Sequence, residues 1–131
     1  MSMNYLFESN QAYIACAKTH CQHCAAEIDV ITLYCVTGQF DGEPLEEFSI
    51  MHITEADEAL QAQLAPWPFF RRHKSVFYNH CPYCQGRQED MDLHCEPDGP
   101  FFYMDEASRQ SMTLTPLVGR VRLSGAETFQ T

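Results

Sequence analysis

Two short segments constrain this chain more than anything else in it. His20-Cys21-Gln22-His23-Cys24 and His80-Cys81-Pro82-Tyr83-Cys84 repeat one pattern, a histidine followed by two cysteines with two residues between them. A C-x-x-C segment can close a tight turn that sets two sulfurs on one side, with backbone amides directed at them. Two such turns supply four thiolates, and a tetrahedral four-sulfur set suits a metal ion without redox chemistry. Cys21, Cys24, Cys81 and Cys84 are therefore the candidate ligands. Any fold that uses them must join points separated by 56 residues, far beyond the roughly 15–20 of compact four-cysteine modules. Residues 25–80 then form an insertion between the two turns. Closing so long a loop stabilises the fold, although closure entropy grows only slowly with length.

The chain holds seven cysteines, an odd number. The opening MSMNYLFESNQAY lacks a basic start followed by an apolar run, so a cytosolic, reducing location is the default expectation. Both points argue against a disulfide framework. A redox dithiol needs a first thiol of low pKa, usually at a helix N-terminus. The β-rich run after Cys24 and the Gln85-Gly86 pair after Cys84 leave little room for such a helix. C-type haem attachment needs His directly after the second Cys, where this chain has Ala25 and Gln85. The zinc-deaminase order, the H-E-x-x-H helix, the phosphate-binding P-loop and the G-x-S-x-G elbow are all missing. Among the other cysteines, Cys35 reads as core, Cys16 as packing beneath the first turn, and Cys95 as a strand residue with the greatest chance of reactivity.

Between and around these turns the pattern is mostly that of strands. QAYIAC (11–16) leads into the first Cys pair. EIDVITLYCV (27–36) is rich in β-branched and aromatic residues and apolar on both faces, as in a central buried strand. Ile28, Val30 and Tyr34 share one face, and Ile31, Leu33 and Cys35 the other. TGQFDGEP is a turn, EEFSIMHI (46–53) a partner strand, and residues 55–65 a helix ended by Pro66 and Pro68. Thr54 is its expected N-cap, with Asp57 completing a capping box. Residues 74–78 form a strand entering the second Cys pair. MDLHCE and PFFYMD are expected as short strands, PLVGRVRLSG as an edge or one-sided strand, and AETFQT as a loose tail. These elements predict an α+β fold, mostly antiparallel, with one clear helix and a single domain over residues 1–131.

HCPYCQGR resembles a zinc-ribbon knuckle, with Pro82 after the first Cys and Gly86 shortly after the second. HCQHCAA matches less fully, having neither Pro nor Gly. The resemblance covers the two pairs and implies a structural four-cysteine zinc site, with one zinc per chain held by Cys21, Cys24, Cys81 and Cys84. A filled four-thiolate site offers no open position for water and is a poor Lewis acid. The resulting expectation is a non-enzymatic zinc-binding protein that acts as a protein-interaction or regulatory module, with no catalytic residues.

Two other classes stay open. An enzyme would have its site away from the metal, around His94 and Cys95 with His52 and Glu96 nearby. Single-stranded nucleic acid could bind PWPFFRRHK, where Trp67, Phe69 and Phe70 interleave with Arg71, Arg72 and Lys74, extended by Arg120 and Arg122. Charge weighs against the second class. The net charge is −10, and residues 1–66 carry Lys18 as the sole base against ten acids, which opposes binding to phosphate backbones. His20 and His80 are candidates for hydrogen bonding to thiolates or for plain turn positions, and His23 for exposure. No segment reaches the roughly 18 apolar residues of a membrane span.

Overall fold

In the computed structural model, residues 5–97, 99–102 and 106–130 are described, residues 126–130 as backbone alone. Long strands come first because β-branched and aromatic residues dominate them. β1 (Phe7–His20), β2 (Glu27–Phe40) and β3 (Glu43–Ala56) form a continuous antiparallel meander. The β2–β3 turn is Asp41-Gly42, with Phe40 opposite Glu43 and φ of 49° and 84° at the two turn residues. Two positive φ values are what a two-residue hairpin of matching twist requires, and Asp-Gly supplies them.

β8 (Val121–Gln130) lies between β3 and β1, and β1 also pairs with β2. The cycle β1–β2–β3–β8 is a closed four-strand barrel. So small a barrel needs sharply coiled strands. Register shifts interrupt β1 near Gln11 and β3 between Ile53 and Glu55, and Glu47 and His52 take positive φ, as bulged strands do. β7 (Thr113–Pro116) continues the β1 edge beyond β8. A second sheet holds β4 (Phe70–His73), β5 (Val76–His80) and β6 (Arg87–Gln88). Helices are short: α1 (Glu58–Gln63), α2 (Asp90–His94) and α3 (Glu106–Gln110).

The expected α+β class is thus corrected. The fold is 53% sheet and 14% helix, so the barrel and not a helix–sheet layer organises it. The helix expected over 55–65 is six residues long. Its N-cap is Asp57, which accepts from the Leu60 N–H at 2.9 Å, and not Thr54. Glu55 and Ala56 are held in β3 by pairing with Ser124 and Leu123, so strand hydrogen bonds win over helix propensity there. MDLHCE is not a strand. Asp90, Leu93 and His94 face inward at helical spacing, a period that four alternating residues cannot distinguish from a strand. The acids in its first turn and His94 in its last also suit the helix dipole. In PFFYMD, Phe101 and Phe102 occupy a turn, while Tyr103, Met104 and Asp105 lie outside the described residues. Of the strand expected over PLVGRVRLSG, residues 117–120 are loop, and β8 sits in the barrel wall from Val121 through the supposed tail as far as Gln130.

Alternation along β1 and β2 divides the core in two. Ile14, Ile31, Leu33, Cys35, Phe48 and Leu123 belong to the cluster that fills the barrel, with Leu60 of α1. Ile28, Val30, Tyr34, Leu93 and Phe101 form the second cluster, and Cys21 and Cys81 are part of it. The two faces expected for β2 are the two faces observed. β5 docks on the stretch of β2 that β3 leaves unpaired. There the Asn79 side chain takes both backbone groups of Ile31, accepting from its N–H at 2.8 Å and donating to its C=O at 3.0 Å. Asn79 is 1% exposed, so an amide substitutes for a missing strand neighbour.

Candidate metal centre

Each C-x-x-C segment is the tip of a hairpin. Residues 21–26 connect His20 to Glu27, which face each other in the β1–β2 ladder. Residues 81–86 connect His80 to Arg87, which face each other in the β5–β6 ladder. The backbone of both tips is the same. Cys21 N–H donates to Ala26 O at 2.8 Å and Ala25 N–H to Cys21 O at 3.0 Å; Cys81 N–H donates to Gly86 O at 2.8 Å and Gln85 N–H to Cys81 O at 2.9 Å. Ala25 and Gln85, each directly after the second Cys, both have φ of 64°. That is the left-handed region, where Gly is the unstrained residue. HCQHC therefore forms the same knuckle as HCPYC without its Pro or Gly.

Docking of β5 on β2 brings the two tips together. The four Sγ atoms of Cys21, Cys24, Cys81 and Cys84 lie within 4.8 Å of one another. Cys21 and Cys84 are 3.6 Å apart, and Cys24 and Cys81 3.7 Å. None of the seven cysteines is in a disulfide. Metal–thiolate bonds of about 2.3 Å place tetrahedral sulfurs about 3.8 Å apart. Those two edges match that spacing, and with all four sulfurs within 4.8 Å the cysteines are positioned to bind one metal ion.

The surroundings favour a thiolate at Cys21. Cys21 Sγ accepts from the N–H of His23 and of Cys24 at 3.3 and 3.4 Å, and from Gln88 Nε2 at 3.3 Å. Cys81 Sγ accepts from the N–H of Tyr83 and Cys84 at 3.4 and 3.5 Å. Burial alone would raise the Cys21 thiol, but the Cys24 and His23 amides and the Gln88 side chain bring it down to about 6. At Cys84 the Gly86 N–H pulls down, while burial and the three neighbouring thiols push the group up to about 12. Four thiols this close cannot all ionise by themselves; a divalent cation among them reverses that.

Gln88 is the site residue that sequence reasoning missed. It is fully buried in β6. Its Nε2 donates to Cys21 Sγ and Gly86 O, and its Oε1 accepts from Gln22 N–H at 2.9 Å. Gln22 returns the contact, its Oε1 accepting from Glu89 N–H at 2.9 Å. These two glutamines lock one knuckle to the other. In sequence Gln88 sits in the polar run QGRQED, and no local pattern marks it as buried.

The other candidates fall elsewhere. His80 is buried with Nδ1 directed at the carbonyls of Tyr78 and Phe69. His23 is exposed, with Nε2 2.8 Å from Arg87 O, and His20 is exposed. Cys35 is buried in the barrel, and burial pushes its thiol up to about 12. Cys16 lies partly buried opposite Ile31 and outside the four-sulfur set. His94 is 2% exposed, with Nε2 3.4 Å from Thr32 Oγ1 and Nδ1 3.3 Å from Ser49 Oγ. A histidine so enclosed is unavailable to a substrate in this conformation, and Cys95 contacts Met51 and Met91. Trp67, Phe69 and Phe70 pack against the barrel core. Arg71 binds Gln85 Oε1, and Arg72 pairs with Glu55 and lies over the Phe77 ring. Arg120 and Arg122 pair with Glu8 and Asp57. The aromatic and basic residues of 67–74 thus separate inward and outward. No helix among the described residues is long and apolar enough to cross a membrane.

No family model, curated protein or solved structure matches this chain.

Proposed function

We propose that the protein is a non-enzymatic zinc-binding protein in which one zinc ion, held by Cys21, Cys24, Cys81 and Cys84, fastens the β4–β5–β6 sheet to the barrel. The observation that carries this reading is the gathering of four sulfurs within 4.8 Å of one another, with two edges of 3.6 and 3.7 Å, at the tips of two matching hairpins. Zinc suits an all-thiolate tetrahedron because its filled d shell imposes no geometry. Cysteine supplies every ligand, so the role is structural, with no position for a reacting water. The interaction-module part of the reading is supported by Tyr83, 73% exposed at the tip of the second knuckle, and by the net charge of −10. A basic protein partner is the match for such a surface.

Elemental analysis tests the metal reading. Purified protein is expected to carry about one zinc per chain, in line with a four-ligand structural site. Cys81→Ser loses it and unfolds at lower temperature, because a buried corner of the tetrahedron is removed. Wild type without metal, equally stable in a strong chelator, refutes the reading.

A further inference from the structure

A second group of sulfur atoms lies away from the four-cysteine centre. Cys95 Sγ is 3.9 Å from Met51 Sδ and 4.0 Å from Met91 Sδ. Metal–sulfur bonds of about 2.3 Å set three sulfurs in a trigonal plane about 4.0 Å apart, and the two edges that meet at Cys95 have that spacing. Two rigid elements present these atoms. Met91 and Cys95 are four residues apart, where α2 and its C-cap bring them to one face, and Cys95 N–H donates to Met91 O at 2.8 Å. Met51 is a buried residue of β3. α2 is held on β2 and β3 by Asp90 Oδ2, which accepts from the β3 His52 N–H at 2.8 Å, and by His94 between the hydroxyls of Thr32 of β2 and Ser49 of β3.

From this geometry we infer that Met51, Met91 and Cys95 form a binding site for a soft monovalent metal ion, Cu(I) or its analogue Ag(I). One thiolate and two thioethers are soft donors that favour Cu(I) and suit zinc poorly, since thioether sulfur is a weak ligand for a borderline ion. Met51 closes the site from below, while Met91 is 47% exposed and Cys95 partly exposed, so an ion can enter from the surface. Asp92 and Glu96, both exposed on the same segment, bias the local field toward a cation. On binding, Cys95 releases its thiol proton to solvent and ligates as thiolate, and the complex is neutral. The site does not depend on the zinc reading.

The test is anaerobic competition, with Cu(I) presented as its bicinchoninate complex to the protein as purified and with zinc measured in the same sample. The expected result is uptake of one Cu(I) per chain with no zinc released. Cys95→Ser and Met91→Leu each weaken that uptake by more than about tenfold, a loss that even outer-shell changes can cause. Both positions are at or near the surface, and Met51→Leu, close in volume, is a third variant against loss of fold. Uptake that tracks zinc release, uptake unchanged in all three variants, or no uptake overturns the proposal. If the purified protein holds no zinc, the comparison of wild type with Cys95→Ser still decides.

Discussion

At the residue scale, the two knuckles show how one backbone is built from unequal sequences. Ala25 and Gln85 occupy the same left-handed position, at a steric penalty of roughly 1–2 kcal/mol for a residue with a Cβ. Gln85 offsets this with its side chain, which accepts from Arg71 Nη2 and donates to Pro82 O. Ala25 has no such compensation. Ala25→Gly is expected to raise stability by roughly 0.5 kcal/mol, after the extra flexibility of unfolded Gly is counted. Gln85→Gly gains nothing. A shift in denaturant midpoint for the first variant but not the second checks this. The same comparison explains what was legible here. Both Cys pairs stand out in the sequence, and all four cysteines come together. Gln88, which grips Cys21 and spans to Gln22, does not stand out, because its burial is created by the other knuckle.

At the scale of elements, two contacts carry much of the docking onto the barrel. Asn79 supplies both hydrogen bonds to Ile31. Asn79→Ala strands a buried N–H and a buried C=O and is expected to destabilise by about 2–4 kcal/mol; chemical denaturation measures it, and a loss below 1 kcal/mol, within the range of ordinary surface changes, would contradict the role. The α2 contact with β3 contains two opposed titrations. Burial lowers His94 from 6.5 to about 4. Burial raises Asp90 from 3.8 to about 6, against the pull of the His52 N–H and the His52 side chain. As pH falls from 6.5 to 4, the unfolded chain protonates its histidine while folded His94 stays neutral, so this group lowers stability toward acid. As pH rises from 3.8 to 6, the unfolded chain ionises its aspartate while folded Asp90 stays protonated, so this group lowers stability toward base. Each effect is on the order of 3 kcal/mol, and across the shared window they nearly cancel. Relative to wild type, Asp90→Asn should gain stability with rising pH between 4 and 6.5, and His94→Gln should lose it. Parallel profiles for all three proteins would sink this account.

Over the whole molecule, the division of the core predicts how the protein responds to loss of metal. Cys21 and Cys81 belong to the cluster outside the barrel, and the barrel's own cluster contains neither. Chelation should therefore loosen residues 81–88 and the first knuckle before the barrel. Hydrogen exchange is expected to speed by at least about tenfold at those amides, with β1, β2 and β3 still protected, as in local unfolding. Uniform loss of protection would show instead that metal and barrel form one cooperative unit.

Local chemistry was enough to determine several features. A turn within TGQFDGEP, the two faces of β2, the buried Cys35 and the four thiolate ligands on offer all follow from short-range pattern, since turn chemistry and strand alternation are set by neighbours in sequence. Only the tertiary structure decided that β8 closes a barrel, that 90–94 is helical, that the N-cap of α1 is Asp57, and that Gln88 and Asn79 are buried hydrogen-bonding pieces. Each of these depends on which edge or surface a distant segment occupies. Backbone groups must be satisfied wherever they are buried, and the partner that satisfies them can lie anywhere along the chain: Asn79 is 48 residues from Ile31, and Gln88 is 67 residues from Cys21.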